Sequence, residues 1–289
     1  MRSPHSYCVA VRKPNGEIIT EQKHLPRLSE RYPIFRYPVI RGVGTLFQAM
    51  KLGLKALRFS ANASLETSER TAQPPKEISS WALTLNLLFS LGFFIFLYKF
   101  VPLYVVTALE RWVPALGGRV AFNVADGLIR LAIFLVFLFA VSRMKDIRRV
   151  FEYHGAEHRV VFNFESGKPV TVENAQSFPT FHPRCGTSFL LVVMVVSMAV
   201  YACIPFDGFL MKFLSRVALL PLVAGVSYEL IRFAARTRGS LLGTLTAPGL
   251  WLQRITTKPP AEDQALVAIR ALDGAMALEA EHGGELVIA

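Results

Sequence analysis

Residues 154–158 read His154-Gly155-Ala156-Glu157-His158, two imidazoles four positions apart with a carboxylate directly before the second. On an α-helix this spacing puts both rings on one face a turn apart, near enough to share a divalent ion, and lets the glutamate reach a water bound to that ion. Chance would supply roughly 0.007 such patterns per chain of this composition, so coincidence is a weak explanation. The plain alternative is a surface helix whose His, Glu and neighbouring Arg148, Arg149 and Arg159 face water or phosphate headgroups. Gly155 counts against the helical premise, because glycine weakens a helix interior by roughly 1 kcal/mol relative to alanine.

A metal needs more than two ligands, and the residues that follow offer Glu165, Glu173, His182 and Cys185. Imidazole and thiolate both suit zinc, so His154, His158, His182 and Cys185 would make a closed, structural four-ligand site. An open site would use fewer of them together with Glu173, leaving a position for water and giving Glu157 the role of general base. Glu157 separates the two arrangements, being needed for turnover only in the second. Cys185 as a nucleophile activated by a histidine is a weaker reading. The chain has only 3 cysteines, with no C-x-x-C pair, which excludes a disulfide framework.

The elements that must position these residues belong to an apolar chain. At 52% hydrophobic, 18% charged and a mean hydropathy of +0.38, it is too apolar for an ordinary soluble domain and too rich in aliphatic runs for disorder. Residues 1–35 are polar and do not read as a secretory signal peptide. Four stretches, about 81–109, 120–142, 187–206 and 209–233, approach the roughly 20 apolar residues that cross a bilayer as a helix. The first should kink near Lys99 and Pro102. Asp126, Arg130 and Glu229 fall inside spans, where ionisable groups pair with one another or line a transport path. Pairing of Arg130 with Asp126 or Glu229 is favoured, since the polar groups are few and no internal repeat suggests a transporter.

The net charge of +11 requires an anionic partner. Lys and Arg number 13 in residues 1–80, 7 in the 142–186 connection and 6 from Arg232 onward, against Arg111 and Arg119 in the first intervening connection and Lys212 and Arg216 at the start of the fourth stretch, beside the second. By the positive-inside rule both termini and the central connection are cytoplasmic. This excess follows membrane topology rather than a nucleic-acid module, so the expected partner is the anionic leaflet and not a nucleic acid. In residues 37–60, Val39, Val43, Leu46, Phe47, Met50, Leu54 and Leu57 share one helical face and Arg41, Lys51, Lys55 and Arg58 cluster opposite, a basic amphipathic helix suited to lying on that leaflet. Two hairpins are expected, Tyr7–Val11 with Glu17–Thr20 around Pro14-Asn15-Gly16, and Val160–Phe164 with Val170–Val172 around Ser166–Pro169. Residues 61–80 read as a linker, and a last helix should begin near Pro260 and run to about Ala280.

Phe151-Glu152-Tyr153-His154-Gly155-Ala156-Glu157-His158, Thr171-Val172-Glu173-Asn174 and His182-Pro183-Arg184-Cys185-Gly186-Thr187-Ser188-Phe189-Leu190 resemble the YqhQ-like family of bacterial membrane proteins, a domain of unknown function (1385) described as predicted metal-dependent enzymes. Arg41-Gly42-Val43, Phe59-Ser60-Ala61, Pro221 with Ala224–Glu229, and Pro248–Gln253 to Thr256-Thr257 fit the same pattern, so the resemblance covers nearly the whole chain. It implies metal dependence and no settled reaction. Two departures stand out. The family pattern carries a Gly-Gly-Gln-Ala-Val-Met-Glu-Gly-Val-Met stretch before the residues matched here by Met1–Pro4, so the chain begins late relative to it and lacks that acidic residue. Leu266 stands where the pattern has a glutamate.

The sequence thus predicts a mainly α-helical integral protein of the cytoplasmic (inner) membrane, with about four transmembrane helices and a small α+β cytoplasmic module carrying short hairpins. Its segments are 1–80 (hairpin, amphipathic helix and linker), 81–142 (two spans), 143–186 (connection with the metal site), 187–233 (two spans) and 234–289 (tail). The leading reading is a zinc-dependent hydrolase with His154 and His158 as ligands, His182, Cys185 and Glu173 competing for the other positions, and Glu157 as base. A scaffold with a structural metal and a transporter are the alternatives.

Overall fold

The computed structural model describes residues 1–68, 80–183, 185–236, 247–284 and 286–288. In chain order the elements are β1 (Ser6–Arg12), β2 (Ile18–His24), α1 (Leu28–Arg31), α2 (Ile40–Ser68), α3 (Ser80–Ile95), α4 (Val101–Glu110), α5 (Arg119–Val141), α6 (Lys145–Glu165), α7 (Val172–Gln176), α8 (Gly186–Ala202), α9 (Phe209–Ala218), α10 (Leu220–Arg236), α11 (Ala247–Thr256) and α12 (Glu262–Glu281). The chain is mostly helical with one small two-stranded sheet, and it divides into two units. The first comprises Met1–Glu77, Ser142–Pro183 and Leu250–Ala289, the second Ile78–Val141 and Arg184–Gly249.

In the first unit, β1 and β2 pair antiparallel from Ser6↔His24 to Arg12↔Ile18. The turn between them is closed by Lys13 N–H to the Glu17 carbonyl at 2.8 Å, and Gly16 supplies a φ of +89° that other residues rarely adopt. α12 packs on β1 so closely that a β-carbon at Gly274 would lie 2.6 Å from Cys8 Sγ. It also packs on α6: Ala156 and Val160, four apart, meet Ala268, Ile269, Leu272 and Met276, with Phe164 at the edge of the same cluster. Large side chains buried this way contribute roughly 1.5–3 kcal/mol each.

That stripe overturns one of the two expected hairpins. Val160–Phe164 is not a strand but the last turns of α6, and Val172 opens α7 behind a Thr171 cap whose Oγ accepts from Asn174 N–H. Alternation over five residues resembles a strand, but Ala156, Val160 and Phe164 recur every four, and burial of that helical stripe on α12 outweighs the strand preference of the valines. The amphipathic helix expected over 37–60 starts at Ile40 and runs to Ser68, so the first part of the expected 61–80 linker is helical, while 69–79 lie outside the described residues; Phe47, Met50, Leu54 and Leu57 stand exposed along it.

Among the described residues of the second unit, two helices are long and apolar enough to cross a membrane, Thr84–Glu110 and Arg119–Val141. A third counts if Phe209–Ala218 and Leu220–Ala234, bent by 50°, form one span. α8 has 17 residues, about 26 Å of helix against a hydrocarbon core of about 30 Å. The first long helix passes through a π-helical turn at Phe96–Phe100, just before Pro102. Proline has no N–H for the carbonyl four residues back. That carbonyl belongs to Tyr98, and it accepts Arg130 Nε instead at 3.1 Å. Arg130 also pairs with Asp126, the favoured arrangement, and donates to Ser197 Oγ at 2.7 Å.

The two ends of the first unit's fold are tied by one carboxylate. Glu279 on α12 is fully buried, and its Oε2 accepts from Ser3 Oγ (2.7 Å), Ser6 Oγ (2.9 Å) and His5 N–H (3.0 Å), while Oε1 meets His5 Nδ1 at 3.0 Å. Burial acts to raise this carboxyl, but the hydrogen bonds from Ser3, His5 and Ser6 outweigh it and hold it at about 2, below its ordinary 4.5. The bond to Glu279 correspondingly raises His5. A depressed carboxylate stabilises fully above its unfolded value, and that contribution is lost as pH falls through the folded one. The Glu279→Gln variant is therefore expected to lower the melting temperature at neutral pH, by an energy of roughly 1–3 kcal/mol, and to flatten its decline between pH 4.5 and 2. A wild-type acid profile in the variant would contradict this.

Candidate metal centre

α6 carries two stripes. The one through Ala156 and Val160 faces the core, and the one through His154, His158, Phe162 and Glu165 points elsewhere, at the three- and four-residue steps of a continuous helix. The rings of His154 and His158 lie with centroids 4.4 Å apart, and one ligand nitrogen of each falls within 4.8 Å of the other's. His154 Nδ1 lies 2.9 Å from the carbonyl of Thr256, and His158 Nδ1 bonds the carbonyl of Thr180. A carbonyl only accepts, so in both rings Nδ1 carries a proton, and Nε2 is the nitrogen left to offer a lone pair to a metal. This is the tautomer that a metal-binding imidazole takes when a backbone oxygen orients it.

Gly155 is what allows the arrangement. A β-carbon there would sit 2.0 Å from the carbonyl oxygen of Lys258, and Lys258 N–H bonds the Phe151 carbonyl at 2.9 Å. The segment after α11 thus lies directly on α6, bringing the Thr256 carbonyl to His154. The glycine that counts against a helix in the sequence is a packing requirement, and α6 runs unbroken through it.

His182 is held by its backbone. Gln253, fully buried on α11, accepts from His182 N–H through Oε1 at 2.7 Å and donates through Nε2 to the His182 carbonyl at 2.8 Å. The amide acts as a short piece of strand partner and seats the ring 4.6 Å from that of Phe162, 5.6 Å from that of His158, with Nε2 3.7 Å from a carboxylate oxygen of Glu165. The structure therefore brings His154, His158 and His182 together on one unit. Glu173 is exposed in the first turn of α7, outside the imidazole group. Cys185 belongs to the second unit, where its sulfur caps α8 and accepts from Thr187 N–H at 3.5 Å. Glu157 is exposed and, with His154, lines an open groove of about 1110 Å³ between β1, α2 and α6, whose walls also carry Arg12, Arg149 and Tyr153. Thr180, Gln253 and Thr256 act through backbone atoms or a side-chain amide, so no ligand-type residue marked them; the glutamine embedded in the apolar Leu250–Leu252 run was the available signal.

Chemically, two imidazoles whose Nδ1 atoms are held by carbonyls, a third nearby and a carboxylate on an open groove form a nitrogen-rich donor set of the kind zinc takes. The chain matches the family described as "Protein of unknown function (DUF1385)" over residues 37–278. It is 36% identical over 284 residues to the "Uncharacterized protein YqhQ" of Bacillus subtilis (strain 168), covering 96% of this chain and 88% of that one. No solved structure matches.

The packing at residue 155 gives a test independent of any metal. Gly155→Ala improves helix propensity by roughly 1 kcal/mol, yet it is expected to lower the melting temperature, because overpacking against a backbone carbonyl costs about 1–3 kcal/mol. A variant as stable as wild type or more so would show that Lys258 does not approach α6 this closely.

Proposed function

The chain belongs to the DUF1385 family of proteins of unknown function, and on that premise we propose that it is a zinc-dependent enzyme of the cytoplasmic membrane, a hydrolase with its ion on His154 and His158. One observation carries the reading: two imidazoles a helical turn apart, each fixed by a backbone carbonyl in the tautomer that offers Nε2. His182 is the nearest further imidazole, and Cys185, three residues after it in the chain, is a candidate on sequence spacing. Glu173, exposed on α7, is the weakest of the ligand set.

A bound divalent ion supplies Lewis acidity and a water acidified toward neutrality. The residues present would do the rest. Glu157, on the same groove as His154, is positioned to take a proton from a nucleophilic water and return it to a leaving group. Arg12 and Arg149 give the groove a positive character suited to an anionic substrate. The two or three helices long and apolar enough to cross support a membrane-embedded second unit, and the lopsided distribution of Lys and Arg and the exposed stripe of α2 support cytoplasmic termini and an anionic leaflet as partner.

A second reading is favoured by the burial of His158 and His182, 7% and 5% exposed: a non-enzymatic scaffold whose metal holds the first unit together. Elemental mass spectrometry on untagged full-length protein tests both. About one zinc per chain is expected, lost in His154→Ala and His158→Ala and retained in Glu157→Gln. No metal in folded wild-type protein ends both readings. Metal retained with loss of complementation in Glu157→Gln supports the enzyme, and metal retained with full complementation supports the scaffold.

A further inference from the structure

Among the described residues, the buried charged side chains of the second unit are Lys99, Asp126, Arg130 and Arg216, at 8%, 1%, 3% and 2% exposure. Three cations therefore share one carboxylate. Both oxygens of Asp126 are taken, Oδ1 by Arg216 Nη1 at 2.7 Å and Oδ2 by Arg130 Nη2. Lys99 has no part in that pair; its Nζ donates to the Tyr201 hydroxyl at 2.8 Å, and the hydroxyl in turn donates to the Arg216 carbonyl at 3.2 Å. Uncompensated charge buried among apolar helices is strongly unfavourable, and ionisable groups in such places are paired or serve a ligand.

A pocket of about 100 Å³ reaches this cluster. Arg216, Asn123 and Tyr201 line it together with Arg119 and Lys212, against the acids Glu110 and Asp207. Arg216 spends one N–H on Asp126 and one on the Asn123 side-chain oxygen (2.8 Å), which leaves guanidinium N–H groups for a ligand. Lys212 lies over the Phe122 ring at 4.1 Å, which fixes its ammonium beside the same space. The volume suits a single small ion and excludes a nucleotide or an acyl chain.

We propose that this pocket binds a small inorganic anion, of chloride or phosphate size, between Arg216 and Lys212, and that the anion neutralises the buried cationic excess of the second unit. The site shares no residue with the imidazole group and does not depend on the metal reading.

Melting temperatures of the purified full chain are compared in chloride, in inorganic phosphate and in a bulky sulfonate buffer at equal ionic strength. The expected result is a saturable rise of several degrees with chloride or phosphate over the sulfonate. Lys212→Gln should raise the half-saturating concentration about tenfold, and Lys212→Arg should restore it. Arg216→Gln also breaks the Asp126 pair and can fail to fold, so Lys212 carries the test. Equal stability in all three salts, or a wild-type response in Lys212→Gln, overturns the proposal. So does stabilisation by dihexanoyl phosphatidylglycerol alone, which would assign the pocket to a lipid headgroup.

Discussion

The carbonyl of Lys258 occupies the space where any side chain at position 155 would begin. Because of that approach, the Thr256 carbonyl reaches His154, and Gln253, one turn back on α11, reaches both backbone groups of His182. Within the imidazole group of the first unit, His154 and His158 are oriented by main-chain oxygens and the His182 backbone by the Gln253 amide, with the Glu165 carboxylate beside the His182 ring.

The same unit is closed at its other end by charge. Glu279 gathers Ser3, His5 and Ser6 from the chain's first residues onto the last turns of α12. α12 in turn covers the apolar stripe of α6 whose opposite side carries the histidines. Three segments far apart in sequence thus support one helix, and each does so through a different kind of contact. In the second unit the organising group is again a single carboxylate, Asp126, bridging Arg130 of its own helix and Arg216 of α9.

Much of this is legible in the sequence where the signal is local. The Pro14-Asn15-Gly16 turn, the break in regular helix just before Pro102, the amphipathic run beginning near Ile40 and the helix opening near Pro260 all rest on backbone rules that act within a few residues. The second hairpin fails because a five-residue alternation was weighed without the Ala156 turn that precedes it; the buried four-residue stripe decides the matter and only tertiary contact reveals it. Arg216 reads as a connection residue by hydropathy, yet it is buried on Asp126, since its partner lies 90 positions away. The candidate ligands on α6 are visible from spacing alone, whereas Thr180, Gln253 and Thr256, which orient the histidines, are not.

The central claim is that His154 and His158 present Nε2 to one metal ion. X-ray absorption at the zinc edge of the full-length protein addresses it directly. The account predicts a first shell at about 2.0–2.1 Å with the outer-shell pattern of at least two imidazoles, reduced by one ring in His154→Ala. A shell of water and carboxylate oxygens without imidazole scattering, or one unchanged in that variant, would contradict it.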